Sequence, residues 1–376
     1  MDLKIINGIL IDPKNNLEEK KDILIDNGKI VDVGNFKEVD TFKTLDATNC
    51  YVTPGLIDYH IHLQPFCEIG VPTEILCFSS GVTTAVDAGS SGCSNYESYR
   101  PAIEASNVRI KAYLNVCSGG MVTSSYGENI NPKNFNEKKI LRLFDKYSDD
   151  LVALKIRLDK NLVKDMGMEP LKKALRIARK SGKRLVVHTT NAPMPQSDIA
   201  NELENGDVFT HMYHDFDNTI IDNNGKICRD ILNSRERGVI FDAANARFHF
   251  AFKVANKAFE NNFLPDIIST DLTKKSIYKK PQIFNMMFLI SKYLNMGLSI
   301  SQIIEKASYN PAKLLNMDNE IGSLSKGYCA DIAVIKETEK DIIFEDWQGG
   351  KLEGKKLLKN MMTIKDGEIV FQDIDF

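Results

Sequence analysis

Apolar residues recur along this chain with two periods. Between residues 55 and 317, short apolar runs alternate with longer stretches whose apolar positions fall three and four apart. Eight runs stand out: 56–63 (LIDYHIHL), 82–88 (VTTAVDA), 109–116 (RIKAYLNV), 151–158 (LVALKIRL), 184–189 (RLVVHT), 208–213 (VFTHMY), 239–244 (VIFDAA) and 266–271 (DIISTD). Runs of this length, near-continuous in apolar residues, read as strands buried on both faces. Segments between them, such as 170–178 (PLKKALRIA), carry helical spacing, with Pro170 suited to the first turn. Alternating strands and helices predict a parallel sheet covered by helices, the α/β class. Eight such units in about 260 residues is the size of a (β/α)8 TIM barrel. A doubly wound open sheet is the competitor, but it has fewer units and a glycine-rich first turn that this chain lacks.

The two ends of the chain have period two instead. Ile5-Ile6 leads through Asn7-Gly8 to Ile9-Leu10-Ile11, and Ile23-Leu24-Ile25 through Asn27-Gly28 to Lys29-Ile30-Val31. Asn-Gly between alternating apolar residues is a strong hairpin signal. Near the C-terminus, Asp366-Gly367-Glu368-Ile369-Val370 repeats that pattern, and 327–335 reads as a turn followed by a strand. Isolated hairpins are marginal in water. Both ends are therefore expected to pair into one small β-sandwich, residues 1–53 with 318–376, flanking a barrel over 54–317.

Composition narrows the function classes. The chain has 376 residues, 43% hydrophobic and 26% charged, with a net charge of −3. That balance gives no electrostatic case for nucleic acid. The start, Met1-Asp2-Leu3-Lys4, lacks the apolar stretch of a signal peptide, and no window approaches a membrane span. Seven scattered cysteines without a Cys-x-x-Cys pair imply reduced thiols in a cytoplasmic protein. Cys93 and Cys117, near predicted strand ends, read as packing residues.

The chemistry sits at the ends of the runs. His60 and His62, at i and i+2, share one face of the first strand at its C-terminal end. Two imidazoles so placed can bind one divalent ion such as zinc. His188 closes the fifth run, His211 the sixth and Asp271 the eighth, and barrel active sites lie at this end of the strands. Lys155 lies inside the apolar fourth run, and sharing a face with Ala153 it should point into the barrel. An unpartnered buried ammonium is costly. Beside two metals, reaction with CO2 would turn it into a carbamate, an anionic oxygen ligand; pairing with Asp58 or Asp87 is the alternative. Arg157, Arg247 and His249 are candidates for holding a substrate carboxylate. Asn115, Ser118, Thr189 and Asn191 lie at strand ends and could orient substrate or metal ligands. His214 reads as a rim residue.

These residues, in this order, resemble the amidohydrolase superfamily over nearly the whole chain. The resemblance is carried by Pro54-Gly55-Leu56-Ile57-Asp58-x-His60-x-His62, the lysine of strand four, and the histidines of strands five and six. Ser269-Thr270-Asp271, Asn310-Pro311-Ala312 and the Gly322-x-Leu324-x-x-Gly327-x-x-Ala330-Asp331 return also carry it. It implies two divalent ions, zinc in the first instance, with manganese or iron as alternatives. His60, His62 and Asp271 would hold the more buried ion, His188 and His211 the other, with carboxylated Lys155 bridging. It also implies Asp271 as the general acid–base group and hydrolysis by a metal-activated water.

Lysine as the bridge is similar to the dihydroorotase, hydantoinase and deacetylase branches. Gly81–Ser90 and Leu154–Leu158 are similar to a bacterial subgroup that includes N-acyl-D-amino acid deacetylases and hydrolases of acetylated hydroxy acids. The implied function is hydrolysis of an N-acyl amino acid amide, or of an acetyl ester of a small carboxylate. Dihydroorotase, then adenine deaminase, are the alternatives, and a non-catalytic scaffold is disfavoured by the full set of ligand positions. A small-molecule substrate and a homo-oligomer are expected. One departure stands out: relatives carry a glycine-rich stretch with a histidine after strand seven, where this chain has Asp242-Ala243-Ala244-Asn245-Ala246-Arg247-Phe248-His249.

Overall fold

The apolar runs become parallel strands buried on both faces. The computed structural model describes residues 1–36, 39–121, 127–278 and 282–376. Seven strands form one sheet in sequential order: β1 (Leu56–Ile61), β2 (Val82–Asp87), β3 (Arg109–Asn115), β4 (Leu151–Arg157), β5 (Arg184–His188), β6 (Val208–Thr210) and β7 (Ile240–Asp242). Every neighbouring pair is parallel. The eighth run is not a regular strand, although it takes the eighth place. On one side the amides of Ala243, Asn245 and Ala246 donate to the carbonyls of Ile267, Ser269 and Thr270. On the other, Asp271 N donates to His60 O at 2.6 Å and His62 N to Leu272 O at 3.1 Å. Regular pairing ends because Asp271 has φ +50°, outside extended backbone. Run six also stops early, since His211 has φ +64°.

Two apolar layers follow from the strand period. Ile57, Tyr59, Val86, Tyr113, Ala153 and Val186 fill the barrel interior. Leu154, Ile156, Leu185, Val187, Phe209 and Phe241 face the surrounding helices. The helix Glu169–Lys180 buries Leu171, Ala174, Leu175, Ile177 and Ala178, with Pro170 in its first turn. The helix Glu137–Lys146 is capped by the Asn136 side chain, which accepts from Lys139 N.

Two further sheets draw on both termini. One has four strands, in the order Lys29–Gly34, Asp22–Asp26, Leu3–Ile6, Lys43–Asp46. The other has six, and its long antiparallel hairpin Ile332–Glu345/Lys351–Lys365 pairs with Tyr51–Pro54. Leu10, Ile23, Ile25, Val52, Ile332 and Met362 pack between them. The hairpin is longer than the sequence pattern implies and leaves this small β domain to reach the barrel. At its tip, Asp346 accepts from Phe252 N, and Trp347 Nε1 donates to Asp215 at 2.9 Å.

Candidate metal centre

The C-terminal ends of the strands bring six donors to one place. His60 at the end of β1 is buried, and its Nδ1 lies 3.2 Å from Asp242 Oδ2. Asp242, at the end of β7, is held in turn by Ser269 Oγ and Ala244 N. His62 Nδ1 lies 2.9 Å from Ser90 Oγ. His211 Nδ1 donates to Ala244 O at 2.8 Å, because a carbonyl can only accept. For His60 and His62 the outer nitrogen is tied down and Nε2 faces Asp271, the orientation that metal-binding histidines receive from a second layer of hydrogen bonds. For His211, by contrast, the nitrogen nearest Asp271, at 4.0 Å, is Nδ1.

The inner nitrogens converge on Asp271. Its Oδ1 is 3.3 Å from His62 Nε2 and 3.6 Å from His60 Nε2. Lys155 Nζ is 3.3 Å from His60 Nε2. Pairing of Lys155 with Asp58 or Asp87 does not occur: Asp58 accepts from Thr270 N and Oγ1, and Asp87 from the amides of Leu63, Gln64 and Ser90. Gly89 makes room for the lysine stem, since a Cβ there would lie 3.0 Å from Lys155 Cβ and Cγ.

Charge states fit metal ligation. Burial, with added repulsion from Arg157 and His249, pushes His188 well down, and burial with His249 does the same for His211. Neutral imidazole is the ligating form. Burial opposes ionisation of Asp271, but His60, His62 and His249 around it overcome that and hold the carboxyl below the usual range. Burial brings the Lys155 amine down to about 8, against the pull of Asp271 and Asp242. His211 Nε2 is buried with no hydrogen-bond partner, an orphaned lone pair in a neutral ring. A divalent ion at this nitrogen would resolve it. The nitrogen and oxygen donors suit zinc and its neighbours.

A cavity of about 360 Å³ opens above this cluster, lined by His60, His62, Lys155, His188, Asp271 and Arg157 among others. Arg247, Phe248 and His249 form its outer wall. Arg157 is ion-paired with buried Glu128, a partner that no sequence signal marks. Arg247 lies over the Phe248 ring at 4.3 Å, and no carboxylate pairs with it among the described residues. Phe248 meets Trp347 edge-on, and Trp347 stacks on Phe216 at 4.9 Å, so the hairpin tip finishes an aromatic rim. A larger depression, about 810 Å³, lies at the opposite end of the strands beside Lys111 and Arg184 and holds none of the histidines.

Other candidates lie off the cavity. Asn115 is buried behind it, donating to Gly89 O and Glu128, and Ser118 receives the Cys93 thiol. Thr189 donates to Thr210 O, and Asn191 to Asp159. His214 accepts from Phe216 N and stays outside the donor cluster. Asp242 was readable from its place at the end of run seven. His249 joins His188 and His211 in one group of donors, where the sequence suggested a substrate contact.

A closed α/β barrel with histidines, an aspartate and a lysine converging at the C-terminal strand ends defines a metal-dependent barrel hydrolase. Residues 51–357 match the amidohydrolase family, and the chain belongs to it. It is thus a hydrolase acting on carbon–nitrogen bonds, in a family that generally uses a binuclear metal centre. A deacetylase of Agrobacterium fabrum is 29% identical over 363 residues, 94% of this chain and 87% of that protein. A crystal structure of a dihydroorotase superposes with TM-score 0.88 at 27% identity, covering 98% of each chain. One of an adenine deaminase gives TM-score 0.91 at 24% identity, covering 99% of this chain and 100% of that one, a likeness of fold. Among the described residues no helix is long and apolar enough to cross a membrane.

Proposed function

We propose that this chain removes an acyl group, acetyl in the first instance, from the nitrogen of an amino acid or the oxygen of a small hydroxy acid. The observation that carries this is the convergence of inward-facing His60, His62 and Asp271, with Lys155 and the orphaned His211 Nε2, beneath a cavity of about 360 Å³. His60, His62 and Asp271 would hold one ion and His188 and His211 the other, with Lys155 between them as its carbamate. Two divalent ions, zinc by donor type, would supply a polarised carbonyl and an acidified water.

The protein side chains do the rest. Asp271, kept ionised, takes the proton of the attacking water and delivers it to the leaving nitrogen or oxygen. Arg247 has no acidic partner among the described residues and offers its guanidinium to a substrate carboxylate at the rim. Arg157, committed to Glu128, shapes the wall. Phe248 gives one apolar surface. Seven free cysteines agree with a reducing, cytoplasmic setting. The 29% identity to a deacetylase over 94% of the chain supports the acyl reading over ring opening.

The test is product release by zinc-loaded protein on N-acetyl-D- and N-acetyl-L-amino acids, acetyl-(R)- and acetyl-(S)-mandelate, dihydroorotate and adenine, with Asp271→Asn as blank. Acetate release, absent in the blank, is the expected result. Ring opening of dihydroorotate or ammonia from adenine, without acetate from any ester or amide, overturns it.

A further inference from the structure

From the geometry of the loop after β7 we infer that His249 is a third imidazole ligand of the ion held by His188 and His211. The inference rests on the two-metal reading above and adds a residue to it.

Three observations point the same way. First, donor atoms of His188, His211 and His249 all lie within 4.8 Å of one another. The His249 ring centroid is 4.1 Å from that of His211 and 5.0 Å from that of His188. Nitrogens bound to one tetrahedral zinc at about 2.0–2.1 Å are about 3.3 Å apart, so closure needs side-chain shifts of about an ångström. Second, His249 repeats the arrangement of the other ligands. Its Nδ1 is engaged by Thr190 Oγ1 at 2.8 Å, while Nε2 faces inward, 3.5 Å from Asp271 Oδ2. Thr190 sits two residues beyond His188, so one strand end supplies a ligand and orients the other.

Third, the backbone is bent to deliver this side chain. Ala244 and Ala246 have φ +33° and +35°, a region that costs a residue with a Cβ about 1 kcal/mol or more. Ala246 N is held by Thr270 O and Ala251 N by Tyr213 O, which fixes the loop on both sides of His249. The carbonyl of Ala244 also orients His211, so one turn positions two of the three imidazoles. The consequence is a nitrogen-rich outer site, which favours zinc, cobalt or nickel over manganese or magnesium.

The experiment uses full-length protein loaded with Co2+ or Zn2+, with metal stoichiometry, chelator competition and X-ray absorption as readouts. Two bound ions with an average of 2.5 imidazoles per metal is the expected wild-type result; an average of 2 overturns the inference. His249→Ala should keep the first ion and lose affinity for the second by about 100-fold, with an altered Co2+ visible spectrum. Thr190→Val, which retains the ring, should lose about 10-fold, the size of effect seen for groups that orient ligands. Unchanged second-ion affinity and spectrum in His249→Ala would refute the third ligand while leaving the two-metal reading intact. A wild-type protein that binds fewer than two ions would instead refute that reading.

Discussion

Lys292 offers the most quantitative test of the structure. It lies in the helix Met286–Asn295, 3% exposed, with its ammonium donating to Asn245 Oδ1 and sitting 3.5 Å from the centroid of the Phe250 ring. No carboxylate is within ion-pair distance among the described residues. Burial, eased only by more distant Asp346, pushes its pKa from 10.5 down to about 7. The unfolded chain therefore binds more protons than the native one between those values, and stability rises with pH across that window. At about 1.4 kcal/mol per tenfold in protonation, the full displacement is about 5 kcal/mol, of which about 2–3 kcal/mol falls between pH 6 and 9. Lys292→Met keeps the volume and removes the titration. It leaves Asn245 Oδ1 short of a donor, a cost of about 1 kcal/mol that does not vary with pH. Urea unfolding of the metal-loaded proteins, followed by emission from Trp347, the only tryptophan, measures both stabilities. The advantage of Lys292→Met over the parent should be greatest at pH 6 and shrink by about 2–3 kcal/mol by pH 9. Parallel pH profiles for the two proteins would refute the argument.

Other expectations follow from the site and the surface. Asp271→Asn should lower kcat by about 10²–10⁴-fold, the scale of general acid–base catalysis, with an unchanged circular dichroism spectrum. Lys155→Ala should lose the second ion and turnover together; partial recovery with added short carboxylates, which supply the missing anionic oxygen, would be seen in both metal content and rate. Arg247→Ala should raise KM for carboxylate substrates by about 10–100-fold with kcat little changed, the pattern of lost ground-state binding. Lys173 and Lys180 hold the Glu137 carboxyl down at about 2. Its contribution is thus complete above the usual 4.5 and disappears as pH falls toward 2; Glu137→Gln should be destabilised by about 0.5–1 kcal/mol at pH 7 and by nothing at pH 2, in urea titrations.

The barrel was legible because burial on both faces leaves near-continuous apolar runs, and strand period two assigns side chains to the interior. That logic placed Lys155 with Ala153 inside, where both are found. It also put His60, His62, His188 and Asp271 at strand ends, where the structure brings them together. Periodicity says nothing once the chain leaves extended backbone. Asp271 and His211 have positive φ, so the pattern predicted regular strand where the chain turns. His249 lies seven residues past the end of β7, and its position depends on two alanines in an unusual conformation that composition does not announce. Glu128 beside Arg157 and Trp347 beside Phe248 are long-range partners of the same kind. A readable clue existed for His249: of six histidines in the chain, only His214 and His249 fall outside the eight runs, and His249 follows the run that supplies Asp242.

The long hairpin carries a consequence for how the protein is made. Tyr51–Pro54, which leads directly into β1, pairs with Ile332–Ile335, and the aromatic rim waits on Trp347. Strands that open the barrel and residues that finish its mouth are thus synthesised roughly three hundred positions apart. A nascent chain can lay down β1 to β7 on the ribosome, yet Tyr51–Pro54 has only the Ile9–Asp12 strand beside it until Ile332–Glu345 has been made. Completion of the rim therefore comes after the strands that carry the histidines, and the order of synthesis leaves the mouth of the cavity to be built last.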